Sequence, residues 1–142
     1  MPQNYTLNAN MSMTATSATG YSQSQSGSYT LNITGVDQIE TGRKDVTSGS
    51  DETIMAAPGH GRFVYVKNLD DTNFAILRIT GDTSTDFAVR LDPSSSYIIT
   101  STSSTGLDDY ADISGVTLED LLAVSATADT AAVDLELFVA SI

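Results

Sequence analysis

The chain has 142 residues, with no cysteine, no tryptophan, one histidine and a formal net charge of −12. This length suits a single domain with its own hydrophobic core, and the lack of cysteine excludes a disulfide framework or a thiolate metal site. Because nucleic acids and anionic lipids attract basic proteins, eighteen acidic side chains against six scattered basic ones disfavour both as partners. The N-terminus lacks the basic and apolar regions of a secretory signal, and no apolar run approaches the length of a membrane span.

Residues 1–34 differ from the rest because they carry no charged side chain and are rich in Ser, Thr, Asn and Gln. Such a composition does not bury enough apolar surface to fold alone, so a sheet edge or a neighbouring subunit must hold this segment in place. The tetrapeptide YTLN occurs at Tyr5–Asn8 and again at Tyr29–Asn32, and each copy has the alternation of a short strand. We predict a polar N-terminal arm, residues 1–34, and a β domain, residues 35–142.

From residue 36 onward, short apolar runs and turn signals follow each other at intervals of roughly ten residues. The clearest run is RFVYVKNLDDTNFAILRIT, residues 62–80, which predicts a hairpin of two strands joined by an Asp-rich turn. Its first strand is apolar on both faces and is therefore expected in the centre of a sheet. Further strands are predicted at residues 36–41, 52–57, 87–91, 97–99, 123–128 and 133–141, with an edge strand or loop at 107–114 and a polar loop at 42–51.

One segment has a helical pattern. In VTLEDLLAV, residues 116–124, Thr117 and Asp120 have the spacing of a capping box. The many short strands favour an all-β fold in which two antiparallel sheets pack as a β-sandwich. We predict a jelly-roll-like sandwich with an extended N-terminal arm and one short helix.

Candidate catalytic residues are few. His60 lies in the turn PGHG, whereas a Ser-His-Asp triad needs an oriented histidine, and no G-x-S-x-G motif is present. A pair of carboxylates can hydrolyse glycosides, but the aromatic residues occupy core-like strand positions instead of a cleft. The carboxylates cluster at Asp70 and Asp71, at Asp108, Asp109 and Asp112, and at Glu119 and Asp120. We interpret them as turn caps and solvated surface, and we expect no enzyme.

Calcium is the favoured metal candidate, because it binds oxygen ligands alone. The loops LDDTN, residues 69–73, and LDDYAD, residues 107–112, contain such ligands. Neither loop has the EF-hand spacing. We therefore expect no cofactor, with Ca²⁺ as the alternative.

Three runs carry a family resemblance: GRFVYVKNLDDTNFAILRI, DFAVRLDPSSSYII and the closing VDLELFVAS. They resemble small virion structural proteins of tailed bacteriophages, which share a strand ending in KN, an LD-T-N turn, a return strand, a strand and turn ending in Pro-Gly, and a terminal strand. Upstream, VDQIETG and DETIM resemble the paired strands that open the same domain. The resemblance covers about residues 36–142 and departs at Asp92-Pro93-Ser94, where the pattern has Pro-Gly.

The resemblance implies a capsid decoration or cement protein. Such proteins are small, acidic, β-rich and often homotrimeric, and they bind the outer capsid surface at three-fold or quasi-three-fold axes. The expected partners are the major capsid protein and further copies of this chain, and the expected location is the outside of the virion after synthesis in the host cytoplasm. The alternatives are a head-fibre or tail-associated virion protein and a carbohydrate-binding β-sandwich module, which predicts a line of exposed aromatic rings.

Candidate contact residues lie mainly in the arm, because Tyr and Met are frequent interface anchors. A polar arm can add to a neighbour as an extra strand, and many copies side by side bind with avidity. The candidates are Tyr5, Leu7, Met11, Met13, Tyr21 and Tyr29, together with the basic pair Arg43 and Lys44 for an acidic shell surface.

Overall fold

A computed structural model of the chain describes residues 5–15, 25–55, 61–81, 86–100 and 121–141. These residues form ten strands: β1 (Tyr5–Ala15), β2 (Gln25–Val36), β3 (Gln38–Val46), β4 (Glu52–Met55), β5 (Gly61–Asn68), β6 (Ala75–Gly81), β7 (Asp86–Leu91), β8 (Ser96–Thr100), β9 (Leu121–Ala128) and β10 (Val133–Ser141). The all-β prediction is confirmed. The described part of the chain contains no helix, and so none that could cross a membrane.

Strands β1 and β2 form a small antiparallel sheet of their own. Their register runs from Tyr5 opposite Val36 to Ala15 opposite Gln25, so both YTLN copies belong to longer strands. Strand β2 passes through the predicted boundary between residues 34 and 35. Asp37 alone separates β2 from β3, and its N–H donates to the Ser141 carbonyl at 2.9 Å. The arm is therefore joined closely to the domain that follows it.

The other eight strands form one antiparallel sheet made of two groups of four. The first group has the order β3-β10-β5-β8, and the second has the order β4-β9-β6-β7. The named strands of the two groups are joined by one residue pair, Gly61 with Leu121. Strand β5 lies between β10 and β8, which confirms its predicted central position.

The main core receives side chains from both groups. In β10 the period of two puts Val133, Leu135, Leu137 and Val139 against this core, as the alternation of VDLELFVAS predicts. Members with less than 2% exposure include Val64 and Leu135 from the first group and Leu77 and Val124 from the second. Each such aliphatic side chain stabilises the fold by about 1.5–3 kcal/mol relative to an exposed position.

The hairpin predicted over residues 62–80 is wrong. Strands β5 and β6 share no ladder, because β5 pairs with β10 and β8 while β6 pairs with β9 and β7. Residues 69–74 instead carry the chain from one group to the other. Val64 of β5 and Leu77 of β6 both belong to the main core, so the crossing buries the apolar face of each strand.

The helix predicted over residues 116–124 is wrong where the structure describes it, since Leu121–Val124 opens strand β9. Residues 116–120 lie outside the described ranges. A short apolar run fits a strand or a helix equally well by pattern, and here pairing with β6 and β4 decides for the strand. The polar loop predicted over 42–51 is also shorter than expected, because β3 continues to Val46.

The turn at Asp92–Ser95 contains a strained residue. Ser95 N–H donates to the Asp92 carbonyl at 3.1 Å across Pro93, as in a β-turn with proline at its second position. Ser94 has a φ of 59°, a conformation that glycine adopts without strain. The backbone thus has the shape that a Pro-Gly turn would take, and Ser94 N–H ties it to the Asp70 carbonyl at 3.0 Å.

Gly61, at the joint between the two groups, is packed too closely for a side chain. A Cβ there would lie 2.7 Å from Leu121 Cδ2 and 2.8 Å from Met55 Sδ. We expect Gly61→Ala to lower the free energy of unfolding by about 1–3 kcal/mol, because overpacking forces these side chains to move. Chemical denaturation measures the change.

Gly42→Ala is the matched control, since a Cβ on Gly42 in β3 meets no atom within 4 Å. Its free energy of unfolding should stay within about 0.5 kcal/mol of the wild type or rise slightly. Equal stability of the two variants would contradict the close contact at Gly61.

Candidate functional site

The small sheet packs against the face of the β3-β10-β5-β8 group that points away from the main core. Ile33 and Val36 of β2 are fully buried there with Phe63 of β5 and Ala140 of β10, and we call these four residues the second core. Phe63 meets Phe138 edge to face, with ring centroids 5.9 Å apart and an interplanar angle of 82°. Such a ring pair adds about 0.5–1.5 kcal/mol beyond the area it buries.

A groove of about 710 Å³ lies open beside the second core. Its floor consists of Phe63, Tyr65 and Phe138. One wall is Leu7–Ala9 of β1, and the other wall is Thr41–Arg43 of β3. In the described part of the chain the small sheet lines this groove through β1 and not through β2. The groove therefore lies beside β1.

Charged side chains of both signs follow each other along the rim of the groove. Glu136 of β10 has Arg43 of β3 as its register partner on one side and Lys67 of β5 on the other. Arg43 also lies 3.7 Å from Asp134, with both side chains exposed, so this ion pair contributes little stability. The rim is polar but close to neutral, although the chain as a whole is strongly acidic.

The predicted arm contacts that the structure describes lie on β1 and β2, and they differ in how exposed they are. Leu7 packs against the second core, whereas Met11 is 40% exposed and Tyr5 is 39% exposed. Tyr29 is the register partner of Met11. Met13 lies two residues beyond Met11 on β1, and Tyr21 is outside the described ranges.

Arg43 and Lys44 do not form one basic patch. As neighbours on β3 they alternate between its two faces, with Arg43 opposite Glu136 and Lys44 opposite Leu135. The Lys44 ammonium donates to the Thr53 carbonyl just before the buried part of β4. Only Arg43 lies on the groove side with the arm.

The groove floor was not predicted from the sequence. The two apolar faces of β5 predict core positions for Phe63 and Tyr65. The available signal was in VDLELFVAS, where Phe138 and Ala140 interrupt the polar face of an otherwise alternating strand. Two apolar residues on that face, one of them a large aromatic, indicate that a further layer covers the end of the strand.

The calcium candidate LDDTN is a turn held by its own hydrogen bonds. Asp70 Oδ1 accepts from the N–H of Thr72 at 2.7 Å and of Asn73 at 2.6 Å. Asn68, which is fully buried, donates to the carbonyls of Asn73 at 2.8 Å and Leu91 at 3.3 Å. Its Oδ1 accepts from Asp70 N–H at 3.0 Å. These bonds explain the Asp and Asn residues as turn formers.

The other candidate catalytic and metal-binding residues give no site in the described part of the chain. Among the described residues, no three His, Asp or Glu side chains are grouped to hold a metal. LDDYAD, Glu119 with Asp120, and His60 lie outside the described ranges.

Comparison with known proteins identifies no relative. No protein-family model matches the chain, and no curated protein or solved structure matches it. Function is therefore inferred from strand order, the groove and the distribution of charge.

Asp70→Asn should lower the free energy of unfolding at neutral pH. The backbone N–H of Asn73, and then that of Thr72, lower the pKa of Asp70 from its ordinary value of 3.8. A carboxylate accepts such bonds more strongly than an amide does. Because the folded-state pKa is lowered, this contribution is present above the unfolded pKa and is lost as the pH falls through the folded value.

Urea unfolding from pH 7 down to pH 2 measures the effect. The difference between wild type and Asp70→Asn should be largest near pH 7 and should shrink below about pH 4. Asp71→Asn is the control, because Asp71 accepts from the Thr72 hydroxyl at 2.8 Å and caps no backbone amide among the described residues. A difference that stays constant down to pH 2 would refute the role given to the Asp70 charge.

Proposed function

We propose that the protein is a virion structural protein that binds the outer surface of a tailed-bacteriophage capsid and clamps neighbouring capsomers, acting by adhesion without catalysis. The observation that carries the proposal is the strand order of the two four-stranded groups together with the neutral sheet β1–β2 beside them. The phage-like turn and strand pattern of residues 36–142 supports the same assignment.

We infer that the two groups are the layers of a jelly-roll sandwich. If β3 to β10 are lettered B to I in chain order, the groups read B-I-D-G and C-H-E-F. This is the pairing of a double-sheet jelly roll, an architecture found in viral capsid proteins and in lectin domains. The main core lies between the inferred layers, and the pair Gly61–Leu121 marks a corner where they meet. One fold can host many different functions. The function therefore has to be argued from the surface of this protein.

The distribution of charge favours adhesion through β1 and β2. All the charged side chains lie in residues 35–142, which carry the net charge of −12, and residues 1–34 carry none. Acidic bodies that stand side by side on a shell repel one another. A neutral pair of strands can approach a neighbour without that repulsion and can offer its backbone edge as an added strand.

The partners of this proposal are the major capsid protein and two further copies of the chain in a homotrimer at three-fold or quasi-three-fold positions. Many bound copies give avidity even where each contact is weak. The site of action is the outer surface of the virion. A head-fibre or tail-associated protein would have the same architecture at a different place on the particle.

A carbohydrate-binding module is the second candidate, and the aromatic floor of the groove is the observation that favours it. Sugar rings stack on exposed aromatic faces. Phe63, however, is only 8% exposed, and its ring is engaged by Phe138. The floor therefore suits an apolar side chain better than a sugar, and virion adhesion remains the better supported function.

Electron cryo-microscopy of undecorated tailed-phage shells incubated with the purified protein tests the proposal. We expect regular density over the shell surface at three-fold or quasi-three-fold positions, and a higher melting temperature of the decorated shells. A glycan array probed with the same protein is the parallel arm. Density at a single vertex, or saturable glycan binding without density on the shell, would replace the proposed function by one of its alternatives.

A further inference from the structure

Strand β3 is the longest strand at the edge of either four-stranded group. It pairs with β10 over all nine of its residues, from Gln38 to Val46, without a register shift. In the described part of the chain it has a ladder with no other strand. The second edge of β3 therefore offers about 30 Å of backbone to a further strand.

This edge lacks the features that usually prevent strands of two molecules from pairing. Proline, bulges and covering loops protect many edge strands. Strand β3 contains no proline and no bulge, and seven of its nine residues are exposed. Its two acidic and two basic side chains cancel, although the whole chain has a net charge of −12. A second acidic copy is therefore repelled less at this strand than elsewhere on the surface.

The order of charges along β3 is complementary to itself. When two antiparallel copies of β3 meet about a two-fold axis through Gly42, Glu40 of each copy lies opposite Lys44 of the other. Opposed side chains of opposite charge stabilise a pair of strands, and like charges destabilise it. Both side chains border a recess of about 200 Å³ between β3 and β4, and a Cβ on Gly42 would meet no atom within 4 Å. The space around the axis is therefore open.

The same charges disfavour every other two-fold register of this strand. A slip by one residue turns the side chains to the wrong face, so each allowed axis passes through a residue. The axes that put like charges directly opposite each other pass through Glu40, Arg43, Lys44 and Asp45. The axes through the uncharged residues other than Gly42 bring no opposite charges together.

We propose that β3 is an interaction surface for a second copy of this chain, paired antiparallel with the partner's β3 about a two-fold axis through Gly42. The contact joins the β3-β10-β5-β8 groups of two copies into one continuous sheet. It is isologous, because each copy contributes the same strand. The contact goes beyond the proposed function and does not depend on it, since a three-fold association uses a different surface.

Bonds within the chain are compatible with this pairing. The Lys44 ammonium donates to the Thr53 carbonyl, and an ammonium has three donors, so a carboxylate of the second copy can also accept from it. Arg43 lies on the other face of β3 and is 3.7 Å from Asp134 of its own chain. Its charge is therefore partly balanced before the copies meet.

Sedimentation equilibrium of full-length charge variants tests the register. Glu40→Lys turns two attractive pairs into two repulsive ones, so we expect it to weaken self-association about tenfold. Lys44→Glu should weaken it similarly. In a mixture of the two variants each Lys faces a Glu, and the mixed dimer should form with an affinity within about threefold of the wild type.

Asp86→Lys is the matched control, because Asp86 is an exposed acidic residue on the edge strand β7. It changes the net charge as much as Glu40→Lys does, and we expect it to weaken self-association less than about twofold. A mixture that associates no better than the separate variants would overturn the proposal. A wild type that stays monomeric at its highest soluble concentration would also overturn it.

Disulfide trapping locates the axis, and the chain has no natural cysteine to interfere. Directly opposed residues have Cα atoms about 4.5–5.5 Å apart, which a disulfide can join. Gly42→Cys should therefore give a covalent dimer on oxidation. Ile39→Cys is the control on the same strand, because the two copies of residue 39 lie about 20 Å apart in this register. Equal trapping of both variants, or no Gly42→Cys dimer where the wild type associates, would contradict the axis.

The proposed contact and the proposed capsid function fail in different ways. Shell density from a protein that does not respond to the charge variants contradicts the β3 contact and leaves the capsid function standing. Trapping at Gly42→Cys without shell density contradicts the capsid function and leaves the contact between copies standing.

Discussion

The structure depends on two strands that must be covered on both faces. Strands β5 and β10 send Val64, Leu135 and their alternates into the main core, while Phe63 and Ala140 point to the opposite side. Neither face can remain in water without loss of the hydrophobic stabilisation that holds the domain together. The opposing four-stranded group covers one face. The uncharged N-terminal strands cover the other, and the groove marks where that cover stops.

Polar side chains at the end of β5 fix the path of the chain from one four-stranded group to the other. Asn68 is fully buried and satisfied by three hydrogen bonds at the end of β5, and Asp70 caps the turn that follows. Together they fix the crossing that replaces a local hairpin. Arg62 is the opposite case: it is 5% exposed, and its Nε and Nη1 find no hydrogen-bond partner in the described residues. Buried donors left without an acceptor are destabilising, and these two lie next to the tightly packed joint at Gly61.

The sequence predicts the fold class and most strands because alternation and turn residues are local signals. The alternation of β10 and the two apolar faces of β5 are confirmed by the structure. The pairing of β5 with β10 instead of β6 could not be read from residues 62–80, since partners far apart in sequence leave no local trace. Leu121–Val124 fits a strand or a helix by pattern, and only the neighbours β6 and β4 decide between them. The groove was missed for a related reason, because Phe138 reveals a second covered face only when its neighbours are known.

The central claim is that the uncharged N-terminal strands cover the outer face of β5 and β10 through the second core. Hydrogen exchange along β1 of the full-length protein tests it most directly. A two-stranded ribbon alone is only marginally stable, whereas packing against a core protects the amides that the ladder bonds. Alternate amides of β1 donate to β2, and we expect those within Leu7–Ala9, where β1 packs against the second core, to exchange more slowly than those within Met11–Ala15. Equally rapid exchange of the β2-bonded amides along the whole strand would contradict the account.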